Sequence, residues 1–454
     1  MLVGCNKTII PPSITSISSY AFRGSGITSI IIPQNVTSIH ALVFSDCCNL
    51  ISIVVEDGNT TYDSRENCNA IIETESNTLR VGCKSTIIPS SVTSISWGAF
   101  SGCCDLTTLT IPSNVTSIKD YAFENCSGLK SVVIQNGVTS IGQSAFEGCC
   151  GLTSVAIPSS VSSISPRIFY GCSSLYNITL SEGVKEIGAS AFYGCSSLAS
   201  IEIPATVTSI GDAAFSGTAW YKNQPEGLVY AGKVAYQYKG IAPTGTAIVI
   251  KDSTLGIGDN AFYGSTGLTS VSIPSSIESI GGSAFTSCSN LTSVTINRGT
   301  PVKIYDNTFS NRKNATLYVP LGCKAAYEAA DYWKEFKEIV EMEPVYPPIE
   351  DFAVILDGKK QTLHGRMVEQ DSEEYIITES GIYHVTGRRE RLAGDVNGDG
   401  KITIADVTSL VNVILGHASA ESATIYNVER AEGVTGLSGD GDFIGWGGVD
   451  EDGS

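Results

Sequence analysis

Apolar and polar positions along this chain recur in lines of 23 residues. Lines beginning at Leu106, Leu129, Leu152, Leu175 and Leu198 align position by position; two read LKSVVIQNGVTSIGQSAFEGCCG and LASIEIPATVTSIGDAAFSGTAW. A fixed period of this size predicts a solenoid, in which one unit cannot bury its own apolar face and must stack on its neighbours. Within a line, the pattern L-x-x-V/I/L-x-I/L, as at Leu129, Val132 and Ile134, predicts a short strand with one buried face. A turn follows, as at Ile157-Pro158-Ser159-Ser160, where proline suits the strand exit because it cannot donate to a continuing ladder. Val138, Ile141 and Ala145-Phe146 complete the line, so each coil sends about seven apolar side chains inward.

One phase of the repeat runs through most of the chain. Phe22, Phe44, Phe100, Phe123, Phe146, Phe169, Phe192, Phe215, Phe262, Phe285 and Phe309 occupy it, using 11 of the 14 Phe. Coils stacked at about 4.8 Å would pile these rings into a continuous spine beside a parallel sheet. The two long gaps, after Phe44 and after Phe215, predict insertions at 56–86 and 218–255. The first reads as a hairpin. The second, also a hairpin, carries Trp220, Tyr230, Tyr236 and Tyr238, an aromatic arm that either binds a ligand or lies over neighbouring coils as a lid.

Beyond Phe309, the spacing of Ala326, Tyr327, Ala330, Trp333, Phe336 and Ile339 predicts an amphipathic helix within 321–342 that caps the last coil. Met342 to Ile349 (MEPVYPPI) is a Pro-rich linker, and short strand-like runs follow to residue 388.

Charge and cysteine narrow the class. The formal charge of −18 argues against nucleic acid or an anionic membrane as the main partner. From Ala393 onward there are 11 Asp and Glu against 2 Lys and Arg. Cys103, Cys126, Cys149, Cys172 and Cys195 share one phase, which favours a buried thiol ladder over a disulfide framework. With four His and none at ligand spacing to Cys, zinc is not indicated. Leu2-Val3-Gly4-Cys5 matches Arg80-Val81-Gly82-Cys83, so the chain is expected to begin inside a repeat, as a truncated product whose export signal is lost. No transmembrane run is present.

The unit L-T-S-V-x-I-P-x-x-V-T-S-I-G-x-x-A-F-x-G-C resembles the 23-residue repeats of the BspA-like leucine-rich repeat family of bacterial surfaces. The closing segment Ala315 to Glu341 resembles the way such arrays end. The resemblance implies an α/β, β-rich leucine-rich-repeat solenoid over 1–320, extracellular or on the cell surface. It implies a non-enzymatic, adhesion-type protein with a protein or glycan ligand on the solenoid face.

One stretch carries metal chemistry. Asp395, Asn397, Asp399, Gly400, Lys401, Thr403 and Asp406 have calcium-loop spacing: oxygen side chains at alternate positions, a glycine for the sharp turn, a main-chain carbonyl from Lys401 and a closing carboxylate. Val407, Leu410, Val411, Ile414 and Leu415 then line one face of a helix. The segment is similar to a type I dockerin. That resemblance implies calcium held by Asp395, Asn397, Asp399, Lys401 (main chain) and Asp406, with Thr403 through water, and a cohesin-type partner read by Ile404 and Ala405. A second loop is incomplete at Gly448 to Ser454. The expected domains are therefore the solenoid, the cap at 321–342, a linker and small β element at 343–392, and a small α dockerin-like module at 393–454. The alternative function is a dockerin-bearing component of a polysaccharide-degrading complex, possibly a hydrolase; no pair of catalytic carboxylates or nucleophile–base pair stands out.

Overall fold

The computed structural model describes residues 9–342, 350–370, 373–378, 381–390 and 424–430. The chain forms two units, Met1–Met342 and Glu343–Ser454.

In the first unit each line of sequence is one coil with three sides. One side is a row of four-residue strands. Thr108–Ile111, Ser131–Ile134, Ser154–Ile157 and Asn177–Leu180 pair in parallel, with Thr108 opposite Ser131 and Ser154 opposite Asn177. Their second and fourth residues are buried and their first and third point outward, as alternation requires. The second side is a row of two-residue strands, Ser94–Ile95, Ser117–Ile118 and Ser140–Ile141, also parallel and in register.

The third side is the turn that carries the phenylalanine. In the turns from Phe22 to Phe285 two residues have positive φ, one two places before the ring and one two places after it. Around Phe123 they are Tyr121 (57°) and Asn125 (58°); around Phe169 they are Arg167 (56°) and Gly171 (72°). The second site explains the recurrent F-x-G, because glycine enters this region without a steric cost. The Phe rings stack as expected, with centroids 4.9 Å apart from Phe100 to Phe123 and 5.0 Å from Phe123 to Phe146. The spine continues through Phe169 and Phe192 to Phe215, then from Phe262 through Phe285 to Phe309.

Both insertions are built into the stack. Ala70–Glu73 and Thr78–Gly82 form a hairpin whose second strand pairs in parallel with Ser94–Ile95 of the next coil. Gly82 stands beneath the spine, where an added Cβ would lie 2.1 Å from Cε1 of Phe100. In the second insertion Gly227–Ala231 and Val234–Lys239 form the hairpin, and the latter pairs with Gly256–Ile257. The repeat resumes earlier than the 218–255 boundary implies, since Thr246–Val249 already pairs with Leu268–Ile273.

The end of the array differs from the single helix expected over 321–342. A helix spans only Lys324–Ala329, followed by a 3-10 turn at Trp333–Glu335 and a strand at Glu338–Glu341. Ala330 is extended and Tyr332 is left-handed (φ 63°), which stops the helix. The strand pairs with Thr316–Val319, whose edge would otherwise be open. Tyr327 and Trp333 are buried; the Tyr327 hydroxyl donates to Arg298 O at 2.7 Å and Trp333 Nε1 to Val302 O at 2.8 Å.

The second unit contains a closed five-stranded barrel of Glu350–Leu356, Lys359–Gln370, Glu373–Thr378, Gly381–Glu390 and Thr424–Arg430. Phe352, Val354, Leu363, Ile376, Tyr383 and Val428 form its core. This corrects the division at residue 393: Thr424–Arg430 closes the barrel by pairing antiparallel with Gly381–Glu390 and parallel with Glu350–Leu356. An isolated antiparallel edge at Gly381–Glu390 would leave its ladder groups unpaired, and the later strand satisfies them.

Candidate binding surface

The solenoid presents two contrasting surfaces. On the four-residue strand row the outward side chains are Thr108, Thr110, Ser131, Val133, Ser154, Ala156, Asn177 and Thr179. They are small and uncharged, and Val133 is 52% exposed. Beside the first insertion, Ile87 (75% exposed) joins Thr110 and Val133 in lining an open depression of about 390 Å³. The strand row pauses at 198–203, where a Cβ added to Gly232 of the inserted hairpin would lie 3.0 Å from Ile203 Cγ2.

The expected aromatic arm is neither a projecting ligand clamp nor a lid but a rung of the stack. Tyr236 is buried edge-on to Phe215, and its hydroxyl accepts the Phe215 N–H at 3.1 Å. Trp220 packs edge-on to Phe215, and Tyr238 lies 6.2 Å from Phe262. The Tyr230 hydroxyl accepts the Lys251 N–H at 3.2 Å, and Lys251 Nζ sits 4.3 Å over its ring. Burial pushes the Tyr236 hydroxyl well above the usual tyrosine range. Tyr236 thus extends the rings that end at Phe215, and Tyr238 precedes those that begin at Phe262.

The thiols are likewise structural. Cys126, Cys149, Cys172 and Cys195 are buried, and each Sγ donates at 3.1 Å to the carbonyl of the Phe one coil back. Desolvation raises the thiols of Cys149, Cys172 and Cys195, the last to about 12, so these three are poor nucleophiles. One pair departs from the thiol ladder: Cys48 and Cys104, in coils on either side of the first insertion, form a disulfide.

On the turn side lie aromatic and charged residues absent from the expected list. Trp97 and Tyr121 are 5.4 Å apart, and Tyr170 stacks on Tyr193 at 4.8 Å. Their signal was present in the repeated F-Y-G of 169–171 and 192–194, which places a tyrosine beside the spine in consecutive coils.

Asp395, Asn397, Asp399, Lys401, Thr403, Ile404, Ala405 and Asp406 lie outside the described residues. Among the described residues no three His, Cys, Asp or Glu side chains converge as a metal site, and no helix is long and apolar enough to cross a membrane.

Parallel coils with an internal ring spine define a leucine-rich-repeat-type solenoid. A family model described as BspA type Leucine rich repeat region (6 copies) matches residues 3–103, 93–222 and 235–330. The chain belongs to this family. Among solved structures it is similar to a leucine-rich repeat protein from Eubacterium ventriosum, at 26% identity over 50% of this chain and 68% of that one (TM-score 0.40). A leucine-rich repeat protein from Bacteroides ovatus is 25% identical over 74% of this chain and 80% of that one (TM-score 0.37). A leucine rich cell surface protein from Faecalibacterium prausnitzii is 22% identical over 73% and 84% (TM-score 0.27). No curated protein sequence matches the chain.

Proposed function

We propose that this protein is a non-enzymatic interaction scaffold, extracellular or on the cell surface, whose solenoid binds a protein or glycan ligand. The observation that carries the reading is the in-register pairing of consecutive coils from Thr108 to Leu180 around stacked Phe rings, which gives a repeating surface for contact over several coils. The Cys48–Cys104 disulfide supports an oxidising location, where such bonds persist.

The calcium loop at Asp395 to Asp406 is proposed as an attachment device of dockerin type, with a cohesin-type partner. Asp395, Asn397, Asp399, the Lys401 carbonyl and Asp406 would hold the ion, with Thr403 through water, and Ile404 and Ala405 would meet the partner. The loop falls between Gly381–Glu390 and Thr424–Arg430, whose residues Glu390 and Thr424 are paired.

Two measurements on the full chain test the reading. Arrays of bacterial and host-surface proteins and glycans should return saturable binding without turnover; hydrolysis of any arrayed glycan overturns the non-enzymatic assignment. Calcium should raise the melting temperature of the second transition, EGTA should reverse the rise, and Asp399→Ala should remove it. A thermal profile indifferent to calcium in both proteins overturns the metal assignment.

A further inference from the structure

The turn side of coils 97–193 gathers the residue types that dominate binding energy at protein interfaces. Trp97 and Tyr193 are each 40% exposed, and Tyr121 and Tyr170 are half-buried. At about 4.8 Å per coil, the strip from Trp97 to Tyr193 runs about 19 Å across five consecutive coils. Hot spots are enriched in Trp, Tyr and Arg. The outward strand positions of the four-residue row, which are Thr, Ser, Val, Ala and Asn, have none of these.

Charge on this strip has a definite sign. Glu124, in the same turn as Tyr121, accepts from Ser101 Oγ at 3.2 Å. Burial raises its carboxyl, and Glu147 and Asp46 add to that while Arg167 opposes it. Arg167 is already committed: Nη2 donates to Glu147 Oε1 at 2.5 Å and the guanidinium sits 4.0 Å over the Tyr170 ring. That contact is an internal example of what the strip accepts, a guanidinium on a tyrosine face beside a carboxylate. The exposed Trp97 and Tyr193 rings, with Glu124 on the same side of the coils, offer the same elements to a partner.

We propose that this strip is the docking surface for a protein segment carrying exposed Lys and Arg. Cations of the partner sit on Trp97 and Tyr193 and beside Glu124, while their aliphatic stems cover Tyr121 and Tyr170. The proposal rests on the scaffold reading and adds to it the side of the coil and the chemistry of the partner.

The test titrates the full chain with a synthetic peptide alternating Arg and Gly, with its Glu-for-Arg counterpart, and with cellohexaose, by calorimetry at low and moderate salt. The Arg peptide should bind saturably and more weakly as salt rises, and the Glu peptide should not bind. Affinity should fall at least about fivefold in Trp97→Ala and in Tyr193→Ala. Glu124→Gln, which preserves shape, should also weaken it, while Thr110→Ala/Val133→Ala on the strand row should leave it unchanged. No binding of the Arg peptide, binding indifferent to all three turn-side variants, or cellohexaose bound in its place overturns the proposal. Partner binding lost in the strand-row variant but kept in the turn-side variants refutes this placement alone. An array on which nothing binds refutes the scaffold reading itself.

Discussion

The thiol of Cys149 donates to the carbonyl of Phe123 in the preceding coil at 3.1 Å, while the same oxygen accepts the N–H of Cys126 at 3.2 Å. The Phe carbonyl thus holds its own turn closed and binds the next coil to it. Cysteine suits the site because it is small, apolar and a weak donor. Cys149→Ala removes the inter-coil bond and leaves a small void, with an expected loss of about 1–2 kcal/mol in denaturant unfolding. Unchanged stability would show that the contact contributes nothing.

Burial of the thiols of Cys68, Cys149, Cys172 and Cys195 sets an alkaline limit. Their folded pKa values are raised above the ordinary 9.0, Cys68 to about 11 and Cys195 to about 12. The unfolded chain therefore releases thiol protons first, and the stability that is complete below about pH 8.5 declines as pH climbs toward 12. Denaturant midpoints at pH 7, 9 and 10.5 should fall in that order. A flat profile would contradict the burial of these groups.

Phe146 has a stacked ring on each side, Phe123 at 5.0 Å and Phe169 at 5.6 Å. Phe146→Ala should cost about 3–5 kcal/mol and split the unfolding transition at that coil. Phe22 stacks on Phe44 alone among the described rings, so Phe22→Ala should cost less and affect only the first coils. Hydrogen exchange resolved by peptide distinguishes the two outcomes.

The Cys48–Cys104 disulfide closes a loop with a sequence separation of 56 that contains the whole first insertion. By the chain-entropy relation, a loop of this length contributes about 4 kcal/mol. Reduction, or Cys48→Ser, should lower the denaturant midpoint accordingly and open the hairpin of Ala70–Glu73 and Thr78–Gly82 to protease before the rest of the array. Identical midpoints with and without reductant would rule out a stabilising bond.

At the other end, Arg312 occupies the phase of the ladder cysteines. Its guanidinium donates to Phe309 O at 3.0 Å, to Asp306 Oδ1 at 2.6 Å and to Glu335 Oε2 at 2.8 Å. Asp306 is largely exposed, which discounts that pair; Glu335 is more sheltered. Arg312→Ala should cost about 1–3 kcal/mol and raise hydrogen exchange at Thr316–Val319 and Glu338–Glu341. Exchange unchanged in those strands would dissociate the ion pairs from the cap.

The solenoid was legible because its evidence is repeated. Eleven Phe at one phase leave little alternative to a ring spine, and alternation at Val132 and Ile134 marks the buried strand face. The cap was misread because Tyr327, Trp333, Phe336 and Ile339 fit a helical face as well as a turn followed by a strand. The open edge of Thr316–Val319 decided for the strand, and that edge exists only once the coils are stacked. Tyr236 looked like a projecting aromatic because its partner, the Phe215 N–H, lies 21 residues away in another coil.

Local spacing in this chain determined the period, the inward phases and the turn chemistry, since each depends on residues within one line. Tertiary structure alone decided which lines became neighbours across the insertions. It joined Cys48 to Cys104, wedged Gly82 under Phe100, brought Thr424–Arg430 back to close a barrel, and set Trp97, Tyr121, Glu124, Tyr170 and Tyr193 on one side. These pairings form because unpaired strand edges and exposed ring faces are costly, and the chain removes them with whatever segment stacking brings within reach.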